Sequence, residues 1–382
     1  MNKPNVRPQS PYFSSGPCKK RPGWSLDVLG DATLGRLHRS DAARSKVVAV
    51  IEETRALLHI PDDYRIGIVA GSDTGAVEIS LWSLLGPRGV DVLAWDAFGN
   101  GWAVDVLDQL KIADTRILKA NFGEISDLSG VDFSHDVVFA WNGTSSGVRV
   151  PNADWIPEGR EGLTICDATS AAFAMEIDWL KIDCATWSWQ KVLGGEAAHG
   201  MLVLSPRAVE RLVTYTPPWP LPKLFRLTNN SKLNEGIFRG DTVNTPSLLC
   251  IEDALDALRW AKSIGGVKAQ IARSEGNLAA IAGWVEKTDW IDFVASDPAI
   301  RSCTSVCLKL SDVCGLDGDA RDMAPQRIAE LLAAEGVAYD INAYHASPPG
   351  LRIWAGATVE REDIEALLPW LDWAFGEAHA LT

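Results

Sequence analysis

Short apolar runs recur through the first two thirds of the chain. Each run is six to eight residues long and is bounded by polar residues or glycine, a pattern typical of strands that are buried in a mostly parallel sheet. The runs are "RIGIVAG" (65–71), "VDVLAWD" (90–96), "DVVFAWN" (136–142), "GLTICDAT" (162–169), "CATWSWQ" (184–190) and "GMLVLS" (200–205).

Helical patterns lie between several of these runs. The segment 40–60 begins with the capping residues Ser40 and Asp41 and then places its apolar residues on one face of a helix. A second helical pattern begins near Thr74, and the proline-rich segment 215–225 predicts a surface crossing without helix or strand. Alternating strands and helices predict an α/β domain whose helices cover the sheet.

The pattern changes in the last third of the chain. A long helical stretch is followed by "SVCLKLSD" and "LRIWAG", which suggest antiparallel strands, and by a closing helix over 361–376. We therefore predict two domains: a large one, residues 1–254, which includes an N-terminal segment that reaches the substrate, and a smaller C-terminal α+β domain, residues 255–382.

Composition excludes several classes of function. The net charge of −14 argues against binding to nucleic acid or to anionic membranes. No apolar run is long enough for a spanning helix or a secretion signal. Seven scattered cysteines suit a reducing compartment, and their spacing does not indicate a metal site. These features predict a cytoplasmic protein without a metal, nucleic-acid partner or membrane anchor.

Polar residues at three predicted strand ends carry the candidate chemistry. In open α/β sheets, ligands bind outside the carboxyl ends of the strands. The turn after Gly71 opens a helix and suits a phosphate group, although a plain capped turn has the same pattern. Asp167 ends an apolar strand, where it is either a helix N-cap or a functional carboxylate. Lys191 lies between a tryptophan-rich strand and two glycines, where a desolvated amine would be nucleophilic and a surface lysine is the alternative.

A phosphate cradle, a strand-end aspartate and a strand-end lysine together match the requirements of pyridoxal 5'-phosphate. Lys191 would form the Schiff base with the cofactor, and Asp167 would keep the pyridine nitrogen protonated. The helix terminus near Thr74 would hold the phosphate group. A pyridoxal-phosphate-binding protein without catalysis is an alternative, but it would need a lost lysine or an attached DNA-binding segment, and the sequence shows neither.

The chain also resembles the phosphoserine aminotransferases, which are class V members of the fold type I pyridoxal-phosphate enzymes. The resemblance runs from "FSSGP" (13–17) to "GLRIWAG" (350–356), through several short motifs in the same order. It implies a large, mostly parallel seven-stranded sheet domain and a small C-terminal domain. It also implies a homodimer whose active site lies at the subunit interface.

The resemblance implies roles for individual residues. The positions that match the family's cofactor contacts are Asp73, Thr74, Trp102, Thr144, Asp167, Gln190, Lys191, Asn244 and Thr245. Trp102 would stack on the cofactor ring, with a core tryptophan as the alternative, and Asn244 and Thr245 would come from the neighbouring subunit. The positions that match the substrate contacts are Ser15, His38, Arg39, His345 and Arg352.

Two positions depart from the common pattern of the family. Ala346 and Thr74 stand where many relatives have arginines that are associated with the substrate phosphate. We therefore predict that Lys19, Lys20 and Arg21 supply the missing positive charge, with a solvated loop as the alternative.

The activity implied is transamination between glutamate and 3-phosphohydroxypyruvate, which gives 3-phosphoserine and 2-oxoglutarate in serine biosynthesis. An alanine- or serine-glyoxylate aminotransferase is the alternative, since it would need no phosphate pocket. Acceptance of a second substrate from pyridoxine biosynthesis is left open.

Overall fold

The structure is a computed structural model that describes residues 2–380. Its helices are α1 Asp41–Leu58, α2 Ser72–Leu84, α3 Ala97–Val104, α4 Pro206–Thr214, α5 Leu248–Ser263, α6 Gly266–Val285, α7 Gly318–Ala334 and α8 Arg361–Ala380. Its strands are β1 Arg65–Ala70, β2 Val90–Ala94, β3 Thr115–Lys119, β4 Asp136–Ala140, β5 Asn142–Gly143, β6 Val148–Arg149, β7 Thr164–Asp167, β8 Cys184–Ser188, β9 His199–Leu204, β10 Thr228–Asn229, β11 Lys232–Leu233, β12 Ile291–Phe293, β13 Ser305–Leu310 and β14 Leu351–Trp354.

A seven-stranded sheet forms the centre of the large part of the molecule. Its strand order is β1-β9-β8-β7-β4-β2-β3. Strand β9 is antiparallel to both of its neighbours, and the other pairs are parallel. Strands β1, β4, β7 and β8 therefore end at the same edge of the sheet, which confirms the predicted mostly parallel architecture and brings the three strand-end motifs together.

All six apolar runs form strands of this sheet, but the sequence analysis missed the seventh strand. Strand β3, with the sequence "TRILK", lies at the sheet edge beside β2. Its residues are only partly buried or exposed, since an edge strand has a neighbour on one side alone. A strand of this kind does not need the continuous apolar run that marks the central strands.

The predicted helices lie close to their predicted positions. Helix α1 begins after the N-cap Ser40, whose side chain accepts a hydrogen bond from the backbone N–H of Ala43. Helix α2 begins at Ser72, two residues earlier than predicted, because Gly71 turns the chain at a φ of 87°. The proline-rich segment 215–225 forms only one 3-10 turn, at Lys223–Phe225. Two apolar clusters, one on each face of the sheet, join the helices to it.

The C-terminal part of the chain has a sheet of its own. Strands β12, β13 and β14 pair in that order, all antiparallel, as the sequence pattern predicted. Helix α5 runs without a break across the predicted boundary between residues 254 and 255. The division into domains 1–254 and 255–382 therefore stays a prediction.

Among residues 2–380, no helix combines the length and the apolar character that a bilayer crossing needs. The same stretch holds no cluster of three or more histidine, cysteine or acidic side chains that would bind a metal ion.

Candidate active site

A cavity opens at the carboxyl edge of the large sheet. Three strand ends and the first turn of α2 contribute its walls. The residues that line it are Ser72, Asp73, Thr74, Phe98, Trp102, Asn142, Thr144, Asp167, Thr169, Gln190 and Lys191. Seven of the residues predicted to contact a cofactor therefore lie in one cavity.

Lys191 stands in the turn that follows β8 and lies against the N-terminal segment. Its Nζ donates a hydrogen bond to the backbone carbonyl of Ser15. Burial lowers the pKa of Lys191, and the nearby cationic Arg352 lowers it further, while Cys18 and the carboxylates of the cavity oppose this shift without reversing it. An amine in this environment loses its proton more easily than a surface lysine, as a nucleophile requires.

The two glycines nearest to Lys191 keep the backbone close to it. A Cβ atom at position 16 would lie 2.7 Å from Nζ of Lys191, so any side chain there would displace the amine. Gly194 has a φ of 65°, and a Cβ there would collide with the carbonyl oxygen of Lys19. The glycines of "FSSGP" and of the turn after Lys191 thus allow the N-terminal segment to cover the amine.

Asp167 ends strand β7 and faces the same cavity. Its Oδ2 accepts a hydrogen bond of 3.1 Å from the indole Nε1 of Trp102, and its Oδ1 accepts one of 3.0 Å from the backbone N–H of Thr169. The bond to Thr169 is a local turn contact rather than a helix cap, since no helix begins at this point. Trp102 is anchored to the carboxylate by its indole N–H, in addition to any stacking role.

Helix α2 presents its N-terminus to the cavity. Its N-cap is Gly71, which has no side chain to accept a hydrogen bond from the first turn. The backbone N–H groups of that turn are available to an anion, and the helix dipole favours negative charge there. Thr74 lies in this first turn, where the resemblance placed a phosphate contact.

Arg352 lies on β14 of the small sheet, close enough to Lys191 to affect its pKa. The plane of its guanidinium lies over the Tyr344 ring, with 5.5 Å between Cζ and the ring centroid. Its Nε is buried without a hydrogen-bond partner in the part of the chain that the structure describes. Ser15 is also buried, and its Oγ is likewise unpaired among residues 2–380. These two groups are thus open to an additional polar ligand beside the amine.

Besides Ser15, Arg352 and the basic residues 19–21, five more of the predicted site residues do not line the cavity. Arg39 and His345 are exposed, and His38 is partly exposed and contacts Arg39. Asn244 and Thr245 lie before α5, where the side-chain amide of Asn244 donates to the carbonyl of Thr245. A single chain therefore does not bring these five residues to Lys191, and their predicted roles depend on a second copy or on movement.

The basic triplet is engaged in ion pairs instead of facing the cavity. Lys19 Nζ lies 2.8 Å from Asp363, and Lys20 Nζ lies 2.7 Å from Asp253. Arg21 holds Asp256 with two hydrogen bonds of 2.7 Å each.

These cations tie the N-terminal segment to α5 and to the start of α8. Because carboxylates already neutralise them, their placement gives no support to the predicted role at a substrate phosphate. That role stays a prediction, and the structure gives the triplet a structural role.

Four residues of the cavity were not predicted. Ser72, Asn142 and Thr169 each lie within one or two residues of a predicted one, and Phe98 lies four residues before Trp102 on α3. Their position at a strand end or near the start of a helix could have predicted them. Side chains at such positions that point to the carboxyl edge contribute to the cavity wall. Tyr344 beneath Arg352 was missed as well, because its contact joins residues from a loop and a strand.

Comparisons with known proteins agree with this geometry. The chain is 56% identical to the phosphoserine aminotransferase of Methanosarcina barkeri over 373 residues, 98% of this chain and 99% of that protein. A phosphoserine aminotransferase from Cytophaga hutchinsonii has a TM-score of 0.81 at 20% identity, covering 95% of this chain and 98% of that one. A phosphoserine aminotransferase with bound pyridoxal phosphate from Trichomonas vaginalis has a TM-score of 0.76 at 16% identity, covering 95% of this chain and 100% of that one. No protein-family model matches the chain.

The fold is that of the pyridoxal-phosphate-dependent aminotransferases, with a lysine and an aspartate at neighbouring strand ends in one cavity. The relatives at 55–56% identity over 98% of the chain define the group more closely. The chain belongs to the phosphoserine aminotransferase family, which confirms the predicted resemblance.

Proposed function

We propose that this chain is a pyridoxal-phosphate-dependent enzyme that moves an amino group from glutamate to 3-phosphohydroxypyruvate, giving 3-phosphoserine and 2-oxoglutarate in serine biosynthesis. The observation that carries the proposal is the position of the Lys191 amine. It lies at the cavity beside the Asp167 carboxylate and the unpaired Arg352 guanidinium. The names of the relatives at 55–56% identity favour this substrate over the glyoxylate alternative.

The residues of the cavity fit pyridoxal 5'-phosphate. The uncapped N-terminus of α2, with Thr74 in its first turn, would hold the phosphate group. Lys191 would hold the cofactor covalently through Nζ, and Asp167 would hold the protonated ring nitrogen. Unpaired buried polar atoms in the cavity wall, such as Oδ1 of Asn142 and Oγ1 of Thr169, support a polar occupant.

The substrate carboxylate would bind at Arg352. A planar guanidinium binds a carboxylate with two parallel hydrogen bonds, and no salt bridge occupies Arg352 among residues 2–380. Tyr344 keeps the guanidinium plane fixed from one side. The substrate α-carbon would then lie between Arg352 and the Lys191 amine.

The chain itself performs the proton transfers. When bound, pyridoxal phosphate supplies an electron sink for negative charge that develops at the substrate α-carbon. The Lys191 amine would take the proton from the substrate α-carbon as general base. Its lowered pKa keeps part of the amine neutral for this step. Asp167 stabilises positive charge at the ring nitrogen, and the segment over Ser15 excludes water from the amine.

A panel of keto acids tests the substrate assignment. With glutamate as donor, we expect kcat/KM for 3-phosphohydroxypyruvate to exceed that for hydroxypyruvate, pyruvate and glyoxylate by roughly a hundredfold, the effect of one or two charge-assisted hydrogen bonds to the phosphate. Steady-state rates with each acceptor, measured on one preparation, give the comparison. A higher kcat/KM for glyoxylate would instead support the alanine- or serine-glyoxylate alternative.

A homodimer would complete the site. Four of the exposed leucines lie in the N-terminal segment or in the first turn of α5: Leu26, Leu34, Leu37 and Leu249. Leu26 lies in a 3-10 turn that packs against α5, and Leu249 lies in the first turn of α5. His38, Arg39 and Thr245 are close in sequence to this apolar surface. A second copy that covers the leucines would bring these polar residues towards its own cavity.

Subunit complementation tests the shared site. Lys191→Ala and Arg39→Ala chains, unfolded together and refolded at equal concentration, are expected to regain activity at low substrate concentration. Each mixed dimer has one site without either change, so about a quarter of all sites would be intact after random pairing. The same chains refolded separately are the control. No gain on mixing, or a monomeric mass in sedimentation equilibrium, would contradict the shared site.

We also place the reaction in the cytoplasm. All seven cysteines are free, and six of them are buried, as expected for a chain that folds in a reducing compartment.

A further inference from the structure

Asp73 has a buried carboxyl group that has no role in the proposed reaction. Only the backbone of this residue would contribute, as part of the phosphate site. It lies in the first turn of α2, with only 6% of the residue exposed. Its Oδ1 has no hydrogen-bond partner among residues 2–380. A buried unpaired oxygen costs free energy, so its environment needs an explanation.

The Asp167 carboxyl lines the same cavity as Asp73, and its charge acts on Asp73. Two ionised carboxylates only accept hydrogen bonds, so they would face each other with repulsion and without a bond. A single proton removes both problems, because one carboxylic acid donates to the other carboxylate.

We propose that Asp73 is a positioning residue: it is held in the protonated form and donates a hydrogen bond to Asp167. Asp167 is the acceptor of the pair because its carboxylate already accepts hydrogen bonds from Trp102 and from the Thr169 backbone. With Asp73 as a third donor, the Asp167 carboxylate is held in place by three hydrogen bonds. The pair thus shares one proton and one negative charge.

The surroundings of Asp73 favour its neutral form. Burial raises the pKa of Asp73 well above its ordinary value, and the Asp167 charge raises it further. The hydroxyls of Thr169 and Thr186 act in the opposite direction, but neither makes a hydrogen bond of normal geometry within residues 2–380. The N-terminus of α2 also favours an anion, although this effect is weaker than the burial of a charge.

The titratable groups that act electrostatically on Asp73 lie on two neighbouring strands and in the turn that follows them. Those on β7 and β8, and in the turn after β8, are Asp167, Cys166, Cys184 and Lys191. Burial raises the pKa of both thiols, to about 12 for Cys184, so they stay neutral. The Lys191 amine is the one cation of this set and acts on both carboxyl groups.

The consequence for the cofactor rests on the proposed function. A neutral Asp73 lets the N–H groups of its own helix turn bind a phosphate without a carboxylate beside it. It also fixes the carboxylate that would hold the ring nitrogen. The sharing of a proton between Asp73 and Asp167 does not depend on the cofactor.

The first test is the pH dependence of stability in the full chain, with and without pyridoxal phosphate. A carboxyl whose folded-state pKa is raised stabilises the fold below its unfolded pKa of about 4, and this contribution is lost as the pH rises through the folded pKa. We therefore expect the melting temperature of the wild type to fall relative to that of Asp73→Asn as the pH rises above about 4. The surface control Asp62→Asn should follow the wild type. A difference between wild type and Asp73→Asn that does not change with pH would overturn the shared proton.

The second test is cofactor affinity, measured by equilibrium dialysis with pyridoxal phosphate. Asp73→Asn keeps a neutral donor and should bind within about threefold of the wild type, whereas Asp73→Ala should bind roughly tenfold to a hundredfold more weakly. An Asn variant as weak as the Ala variant, or an Ala variant equal to the wild type, would overturn the positioning role. If the wild type does not bind pyridoxal phosphate, the proposed function is wrong instead. The pH series would still test whether Asp73 and Asp167 share a proton.

Discussion

The Lys191→Ala variant is expected to lose transamination and the covalent attachment of the cofactor. Lys191 is the amine that lies in the cavity at the strand end, and it would serve both as the attachment point and as the general base. The loss of both roles should lower kcat by at least about four orders of magnitude. Turnover with glutamate and 3-phosphohydroxypyruvate measures the first effect. The mass of the denatured chain after borohydride reduction measures the second.

Lys119→Ala is the matched control, because Lys119 is exposed at the end of edge strand β3. It should keep both the turnover and the mass increase of the wild type after reduction. A Lys191→Ala protein that retains near-normal turnover would show that the chemistry takes place elsewhere in the molecule.

The Asp167→Asn variant is expected to lower kcat by roughly a hundredfold to a thousandfold, the range for one preorganised electrostatic contact. An amide has the shape of the carboxylate but no charge to stabilise a protonated ring nitrogen. Its single amide oxygen can accept only one of the hydrogen bonds from Trp102 and Thr169, because these reach different oxygens of Asp167. The expected loss therefore combines the missing charge with one broken hydrogen bond. Single-turnover rates with glutamate separate this effect from product release.

The surface variant Asp62→Asn serves as the control and should keep the wild-type rate. An unchanged single-turnover rate in Asp167→Asn would remove the ring-nitrogen role. If Asp73 donates to Asp167, the Asp73→Asn change should also have a different effect in the Asp167→Asn background, since Asp73 would then act through Asp167 in the cavity that both line.

The strand ends could be predicted from sequence because the relevant signal is local. An apolar run shows where a central strand lies, and the polar residue after it must lie at the end of that strand. Parallel strands end at the same edge, so Asp167 and Lys191 were expected to meet even before their neighbours in the sheet were known. Strand β3 gave no such signal, since its edge position leaves it partly exposed.

Side-chain pairing could not be predicted in the same way. The sequence shows three adjacent cations at 19–21, and we predicted that they bind the substrate phosphate. Their partners Asp363, Asp253 and Asp256 are more than two hundred residues away along the chain. Nothing in the local pattern distinguishes a cation that is neutralised by such a partner from one that faces a ligand.

By itself, the sequence determined the alternation of strands and helices and the placement of a lysine and an aspartate at strand ends, because hydrophobic periodicity and turn residues act over short distances. The tertiary structure decided which polar groups face each other. It set Asp73 beside Asp167, left Arg352 unpaired near Lys191, and turned the basic triplet towards α5 and α8. These outcomes depend on strand order and on contacts between distant segments, which fix the burial and the charge around each group.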